Sequence, residues 1–448
     1  MSRNGQGRRV VIVGGGFAGM SVARELAKHD DVNVVLIDKN PYHQFQPLLY
    51  QVATSQLSPP DIAFSFKQLF RKHPNVEVKL AEVTEVDPIA KSVTTNTGET
   101  IRGDYLVLAA GSQPNFFRVP GDEHTFPLYS LDDAQRLRKR ILEVFEAADR
   151  DPKLIDEGAL NFVVVGGGAT GTEVAGALSD LIHGAMANEY PHLSASAVRV
   201  YIFDHGNTLL APFSDSAHTY AARVLQQDGV RLQLGSGIKE VGPGHVTTSD
   251  GSTILTRTVV WGGGIMAAPL AAKSGLPQGR GGRINVQPDL TVEGFPGVYV
   301  LGDFANIPSP DGRTFPQLGS VALQNGQWAA KAILADMKGK PAGSFHYHDK
   351  GIMAMINHGN AVAEMGKHHH EMHGHIAFAA WLGVHAYLMT GVRDRGDAFV
   401  EWAVDYFSKD RTSQKLDRSG KPQINWHDED AVGATSGAQE KELQPAGR

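Results

Sequence analysis

Residues 10–19 read VVIVGGGFAG, and this stretch decides how the N-terminal part of the chain folds. Four apolar, β-branched residues in succession are typical of a buried strand. Gly14, Gly16 and Gly19 follow in the pattern GxGxxG, and a helix is expected from about 18 to 29. These glycines allow a tight turn, a close approach to a pyrophosphate and close packing of the helix on the strand. The stretch therefore predicts a dinucleotide-binding fold.

The first dinucleotide-binding fold also has an acidic residue at the position where the ribose is bound. A second buried strand is expected at 32–38, and its last residue, Asp38, lies 19 residues beyond Gly19. An acid at this position hydrogen-bonds a ribose hydroxyl of the dinucleotide. Lys39 follows it, and we expect this lysine either to flank the adenosine or to be a solvated surface side chain.

The same arrangement returns about 150 residues later. Residues 162–171 read FVVVGGGATG, and a helix is expected from about 170 to 186. The three glycines of this copy are Gly166, Gly168 and Gly171. Its acid, Asp204, stands 33 residues past the last glycine, further than the usual ~20. The carboxylate would repel a 2′-phosphate, and His205 rather than Arg follows it, so NADH is expected over NADPH.

Two dinucleotide sites in one chain predict a relay of electrons. One site would hold FAD as a resident cofactor, and the other would admit the nicotinamide that delivers hydride to the flavin. The chain has no cysteine, which excludes disulphide chemistry, thiolate metal sites and cysteine nucleophiles. The net charge of 42 − 48 = −6 argues against nucleic acid as a partner.

Three further motifs resemble those of the flavoproteins with two dinucleotide-binding domains. They are YLVLAAGSQP at 105–114, VVWGGG at 259–264 and VYVLGDFA at 298–305. The resemblance implies a crossing between domains after each of the first two motifs. The cofactor-binding residues that it implies are Gly111, Gly264 and Asp303, the last on the flavin ribityl chain.

Other stretches resemble one branch, the type II NADH dehydrogenases. They are HQFQPLLYQVAT at 43–54, GGGATGTEVA at 166–175, GIMAMINHGNAV at 351–362 and the region 374–416. The resemblance implies a monotopic enzyme that passes electrons from NADH through FAD to a quinone without pumping protons. Disulphide reductases and sulfide:quinone reductases are excluded, because they need redox cysteines.

Two residues are candidates for catalysis. Glu173, expected in the first turn of its helix, is either a carboxylate at a helix N-terminus, a proton relay to the quinone or a residue that positions substrate. The family's quinone helix carries AQxAxQxG, whereas residues 319–326 read GSVALQNG. Gln324 is retained there, Ala322 is expected beside the flavin, and Ser320 replaces the first glutamine, which weakens the expected contact with quinone.

Two aromatic stripes near the C-terminus are typical of amphipathic helices that lie in a membrane interface. They consist of Phe378, Trp381, Leu382, His385, Leu388 and Met389, and of Phe399, Trp402, Ala403, Tyr406 and Phe407. Docking on the chain's own core or a dimer interface is the alternative. The histidines between 368 and 375 are interpreted as a surface tract or a weak metal site, and no catalytic metal is expected.

The expected fold class is α/β, with two Rossmann-like dinucleotide-binding domains and a C-terminal amphipathic helical region that associates with a membrane. FAD is assigned to 8–118 and 285–345, NADH to 119–284, membrane association to 346–416, and 417–448 to a disordered tail. Neither a signal peptide nor a spanning helix is expected, so the chain is placed at the cytoplasmic face of the cell membrane, with a homodimer possible. A soluble NADH:acceptor diaphorase or ferredoxin-reductase-like enzyme and a non-catalytic redox sensor are the competing functions.

Overall fold

The computed structural model describes residues 7–366 and 368–389, which divide into two compact units. The first unit contains the described residues up to Gln44, with Ala63–Gln113 and Ile265–Lys350. The second contains Phe45–Ile62, Pro114–Gly264 and the described residues from Gly351 onward. The sequence boundaries kept 8–118 together, whereas Phe45–Ile62 clusters with the second unit.

Strands and helices alternate along most of the chain. The strands are β1 (Arg8–Val13), β2 (Val32–Asp38), β3 (Tyr42–Gln44), β4 (Ala63–Ser65), β5 (Val76–Leu80), β6 (Val83–Asp87), β7 (Ser92–Thr95), β8 (Thr100–Arg102), β9 (Tyr105–Leu108), β10 (Ser112–Pro114), β11 (Thr125–Pro127), β12 (Asn161–Val165), β13 (Arg199–Asp204), β14 (Arg231–Leu234), β15 (Ile238–Gly242), β16 (His245–Thr248), β17 (Thr253–Leu255), β18 (Thr258–Trp261), β19 (Ile265–Ala267), β20 (Ile284–Asn285), β21 (Thr291–Val292), β22 (Phe295–Val300), β23 (Ala305–Asn306), β24 (Gly351–Asn357), β25 (Asn360–Met365) and β26 (His370–Gly374). The helices are α1 (Phe17–Leu26), α2 (Leu49–Ala53), α3 (Pro59–Ile62), α4 (Phe66–Leu69), α5 (Leu131–Arg150), α6 (Ala169–Leu181), α7 (Ala187–Glu189), α8 (Asp215–Gln227), α9 (Leu270–Lys273), α10 (Gly319–Asp336) and α11 (His375–Leu388).

A six-stranded sheet forms the core of the first unit, in the order β21-β22-β9-β1-β2-β5. Every neighbouring pair is parallel except the edge pair β21–β22. The apolar run of β1 lies in the middle, where Val10 pairs with Val34 and Tyr105 and is fully buried. A strand covered on both faces reads as a continuous apolar run, which is why the sequence predicted it correctly.

A five-stranded parallel sheet forms the core of the second unit, in the order β11-β18-β12-β13-β14. The long helix α5 precedes β12 and begins at a capping box, in which Ser130 and Asp133 satisfy each other's backbone N–H groups. The helix predicted after the second glycine loop is α6, which continues through a π-helical turn at Ile182–Met186 into α7. The predicted α/β class with two dinucleotide-binding folds is confirmed.

The second unit also contains a three-stranded antiparallel sheet of β24, β25 and β26. Helix α6 lies directly on β24, because a Cβ placed on Gly176 would come within 1.5 Å of the Ile356 carbonyl oxygen. The sequence predicted only amphipathic helices here, and the strands were missed. The second aromatic stripe and the tail 417–448 lie outside the described residues. Among the helices that the structure describes, none has the length and apolar character needed to cross a membrane.

Candidate functional site

The first glycine loop connects β1 to α1 and is fastened to Asp38. Gly14 adopts a positive φ of 94° at the turn. Gly15 N donates to Asp38 Oδ2 at 2.7 Å, and Asn40 N donates to Asp38 Oδ1 at 2.7 Å. Burial raises the pKa of Asp38, and the two backbone N–H groups oppose that rise. The carboxylate at the end of β2 thus holds the loop, while the neighbouring Lys39 is exposed.

The second glycine loop repeats this arrangement between β12 and α6. Gly166 has a φ of 104°, and Gly167 N donates to Asp204 Oδ2 at 2.6 Å. Gly206 N donates to Asp204 Oδ1 at 2.6 Å. The 33-residue spacing in the sequence is therefore no obstacle, since the end of β13 lies beside the loop as the end of β2 does in the other unit.

Each loop is shaped to receive a pyrophosphate. A Cβ on Gly19 would lie 1.9 Å from the carbonyl oxygen of the first glycine in its loop, and a Cβ on Gly171 would lie 1.8 Å from the equivalent atom. Only glycine allows the helix to start this close. By contrast, a Cβ on Gly16 or Gly168 would meet nothing within 4 Å. These open positions at helix N-termini fit the diphosphates of FAD and NADH.

His43 also supports the first loop, a role that was not predicted from the sequence. Its ring is 3% exposed, and Nδ1 lies 2.9 Å from the Gly15 carbonyl oxygen. Burial lowers the pKa of His43 to about 4, so the ring is neutral at pH 7. Because a carbonyl only accepts, Nδ1 carries the proton. A histidine between Tyr42 and Gln44 in a three-residue strand gave no signal of this contact.

Asp303 lies in a turn that follows β22. Ser112 Oγ donates to Asp303 Oδ2 at 3.0 Å, and Gln317 Nε2 donates to the Asp303 carbonyl at 3.2 Å. Burial raises the pKa of Asp303, whereas the hydrogen bond from Ser112 and the charge of Arg283 lower it. The hydrogen bond from Ser112 thus fixes the orientation of this carboxyl group within the first unit.

The other predicted cofactor contacts lie at three different places. Gly111 precedes β10 in the first unit with a φ of 72°, and Ala322 is buried in the first turns of α10. Gly264 lies in the second unit after β18, with a φ of 130°, and its carbonyl accepts from Asn115 N at 3.0 Å.

Glu173 is the fifth residue of α6 and so lies in the second turn, not in the first turn as expected. The residue keeps some exposed surface, but its carboxyl group is enclosed. Met355 N donates to Oε1 at 3.2 Å. Burial raises the pKa of Glu173 to about 8, although the contacts with Met355 and Trp381 oppose the rise. Its carboxyl group is therefore largely protonated at neutral pH.

Tyr50 completes this neighbourhood. Its side chain is 2% exposed, its hydroxyl lies 3.1 Å from Met355 Sδ, and Gln51 Nε2 donates to it at 3.2 Å. Burial and the charge of Glu173 raise the Tyr50 pKa. Tyr50 lies within the family-like segment 43–54, but no local sequence pattern links it to α6.

The helix expected to contact quinone, α10, uses its polar side chains within the first unit. Gln324 Nε2 donates to the His348 carbonyl at 3.0 Å, and Gln324 Oε1 accepts from His348 N at 3.0 Å. Ser320 Oγ lies 2.9 Å from the Tyr347 hydroxyl. Both residues thus fasten the segment around 347–348 to the helix. A contact between Gln324 and quinone stays a prediction.

Most of the first aromatic stripe faces inward, and Leu388 is its exposed member. Phe378, Trp381 and His385 are buried, and Trp381 stacks on His385 at 3.9 Å between ring centroids. Docking on the chain's own core, rather than insertion into a membrane, is therefore the arrangement of Phe378, Trp381 and His385. The apolar side chains of α11 that are exposed are Ile376, Tyr387 and Leu388. The sequence pattern grouped these residues on one face but did not show whether that face meets the core or a membrane, because α11 also carries apolar residues on its other side.

The histidines between 368 and 375 do not converge. His368 and His370 have ring centroids 6.1 Å apart, while His373 stacks on Tyr220. Within residues 7–366 and 368–389, no group of three or more histidines and carboxylates is arranged to hold a metal ion.

Comparison with known proteins places this geometry among flavoenzymes. A sequence profile of the pyridine nucleotide-disulphide oxidoreductase family matches residues 8–326. The type II NADH:quinone oxidoreductase NdhA of Mycobacterium tuberculosis is 37% identical over 90% of this chain and 88% of the relative. The type II NADH:quinone oxidoreductase of Staphylococcus saprophyticus is 30% identical over 78% of this chain and 87% of its own. NDH2 of Plasmodium falciparum, solved in complex with NADH, shares the fold with a TM-score of 0.83 at 18% identity, over 91% of this chain and 100% of that one.

Proposed function

The chain belongs to the pyridine nucleotide-disulphide oxidoreductase family and, within it, to the type II NADH:quinone oxidoreductases, and we propose that it transfers two electrons from NADH through FAD to a quinone without pumping protons. The observation that carries this proposal is the pair of glycine loops, each of which donates one backbone N–H to a carboxylate at the end of the next strand. The chain has no cysteine, so its side chains cannot perform the disulphide chemistry in the family's description.

We assign FAD to the first unit. The loop at Gly14–Gly19 would hold its pyrophosphate, Asp38 its adenosine ribose, and Asp303 its ribityl hydroxyls. When bound, FAD accepts a hydride from NADH and delivers two electrons to quinone. The protein's part is to hold this cofactor in one orientation.

NADH is assigned to the second unit. The loop at Gly166–Gly171 would hold its pyrophosphate, and Asp204 would accept hydrogen bonds from the free ribose hydroxyls. A 2′-phosphate would lie beside a carboxylate that is already held in place by Gly167 N and Gly206 N. The site therefore disfavours NADPH.

We propose that Glu173 supplies a proton during quinone reduction. Reduction of a quinone to a quinol consumes two protons along with two electrons. A carboxyl group with a pKa of about 8 is protonated at neutral pH and can still give up its proton. The charge of Glu173 raises the pKa of Tyr50, so the two groups are electrostatically linked.

Peripheral attachment at the cytoplasmic face of the membrane is the corresponding proposal for location. Ile376 and Tyr387 are 72% and 74% exposed on α11, and apolar and aromatic side chains of this kind insert into a membrane interface. Co-sedimentation with lipid vesicles should fall when Ile376 and Leu388 are replaced by serine. If the same double variant instead abolishes a concentration-dependent dimer, the surface belongs to a homodimer.

Two half-reactions measured separately test the function. Mixing the FAD-loaded protein with NADH should bleach the flavin absorbance, and adding a quinone should restore it. A ferredoxin serves as the comparison acceptor. Faster reoxidation by ferredoxin than by any quinone in a panel would favour the reductase alternative, and failure of NADH to bleach the flavin would favour the redox-sensor alternative.

A further inference from the structure

Residues Asn115–Arg118 form a strained segment beside the end of β18. Phe117 and Arg118 both have positive φ values, 51° and 61°, which are unfavourable for side chains larger than glycine. Phe117 is also 62% exposed. A large aromatic ring held outward on a strained backbone needs a physical reason.

The neighbouring structure holds this segment in place. Asn115 N donates to the Gly264 carbonyl at 3.0 Å, and Trp261 Nε1 donates to the Asn115 carbonyl at 2.9 Å. Phe117 N donates to Asn115 Oδ1 at 3.0 Å. As a result the ring lies beside Gly264, where an added Cβ would be 3.4 Å from Phe117 Cζ.

The order of strands locates the two halves of a bound dinucleotide. Strands β18, β12 and β13 are parallel neighbours, so their carboxyl ends lie along one edge. With the adenosine ribose at Asp204 after β13 and the pyrophosphate at the loop after β12, the nicotinamide half extends to the end of β18. The turn at 262–264 lies there, and Gly262 N donates to the Val165 carbonyl at 2.7 Å, next to the glycine loop.

We propose that the Phe117 ring packs against the nicotinamide half of bound NADH and fixes its position at the end of β18. This inference rests on the proposed assignment of NADH to the second unit. Gly264 leaves room beside the ring because it has no side chain, and the exposed face of Phe117 offers an apolar surface to the nicotinamide and its ribose. Phe117 is thus a substrate-contacting residue that the family motifs did not indicate.

Calorimetric titration of the FAD-loaded protein with NAD⁺ and with ADP-ribose tests the proposal, because ADP-ribose has the adenosine and pyrophosphate but not the nicotinamide. Phe117→Ala should weaken NAD⁺ binding roughly two- to tenfold and leave ADP-ribose binding unchanged. Phe117→Tyr keeps the ring and should retain the wild-type affinity for NAD⁺. Leu255→Ala, which removes another partly exposed apolar side chain of the same unit, should change neither affinity.

Equal losses for both ligands in Phe117→Ala would overturn the proposal, since they would indicate collapse of the loop and not a lost contact. Unchanged NAD⁺ binding would also overturn it. Phe117→Gly adds a check on folding, because glycine accepts the positive φ: it should match Phe117→Ala in NAD⁺ affinity without lowering the melting temperature. Should the wild-type protein bind neither ligand, the NADH assignment itself fails, which distinguishes that failure from an error about Phe117.

Discussion

Replacing Glu173 by Gln should make the free energy of unfolding less dependent on pH. Burial raises the pKa of Glu173 to about 8 from an ordinary value of 4.5. Below pH 4.5 the carboxyl group is protonated in both the folded and the unfolded chain and has no effect on their balance. Between the two values the unfolded chain releases a proton that the folded chain retains, so stability is lost as the pH rises.

The size of the effect follows from the same two values. Each unit of pKa difference corresponds to about 1.4 kcal/mol. Between pH 5.5 and 7.5 this one group should therefore lower the free energy of unfolding of the wild type by about 2–3 kcal/mol. Glu173→Gln removes the titration but keeps an acceptor for Met355 N, so the advantage of the variant over the wild type should grow by that amount across the interval.

Urea unfolding of FAD-loaded wild type and variant at several pH values, followed by tryptophan fluorescence, measures this difference. Infrared spectra should also show a protonated carboxyl band that persists to about pH 8 in the wild type and is absent from the variant. Glu371→Gln is the matched control, because Glu371 is exposed and a hydrogen bond from Ser216 lowers its pKa. A stability difference that stays flat from pH 5.5 to 7.5 would refute the assignment of a raised pKa to Glu173.

Five other substitutions test three further predictions. Asp204→Asn removes the charge that repels a 2′-phosphate, so the ratio of kcat/KM for NADH over NADPH should fall roughly tenfold; an unchanged ratio would show that specificity lies elsewhere. Gly176→Ala should destabilise the protein by about 1–3 kcal/mol in thermal melts, because its Cβ would collide with a carbonyl of β24. Gly383→Ala is the control: it has open space around it on α11 and should be neutral or slightly stabilising. Gln324→Ala should slow flavin reoxidation by quinone several-fold and leave reduction by NADH unchanged in stopped-flow traces, and Ser320→Gln should speed the quinone step; if neither variant alters reoxidation, α10 does not contact the acceptor.

The sequence by itself determined the two dinucleotide-binding folds. A buried parallel strand must be apolar throughout, and a helix can start close against it only where glycines have no Cβ. Both the strand and the loop can therefore be recognised from short stretches of sequence. Asp38 and Asp204 could also be identified from the sequence as ribose-binding candidates, because each is the last residue of the strand that follows its glycine loop. The absence of cysteine likewise excluded the thiol-dependent branches without any structure.

The tertiary structure alone decided which side chains meet across long intervals of sequence. Tyr50, Glu173 and Met355 come together only because Phe45–Ile62, α6 and β24 fold into one unit, and the raised pKa of Glu173 is a consequence of that enclosure. The same holds for α11: the sequence placed Trp381 on an aromatic stripe, but only packing shows that this face meets the chain's own core while Ile376 faces outward. Local sequence specifies a residue's conformation, whereas its burial and charge state depend on partners that the chain brings to it from elsewhere.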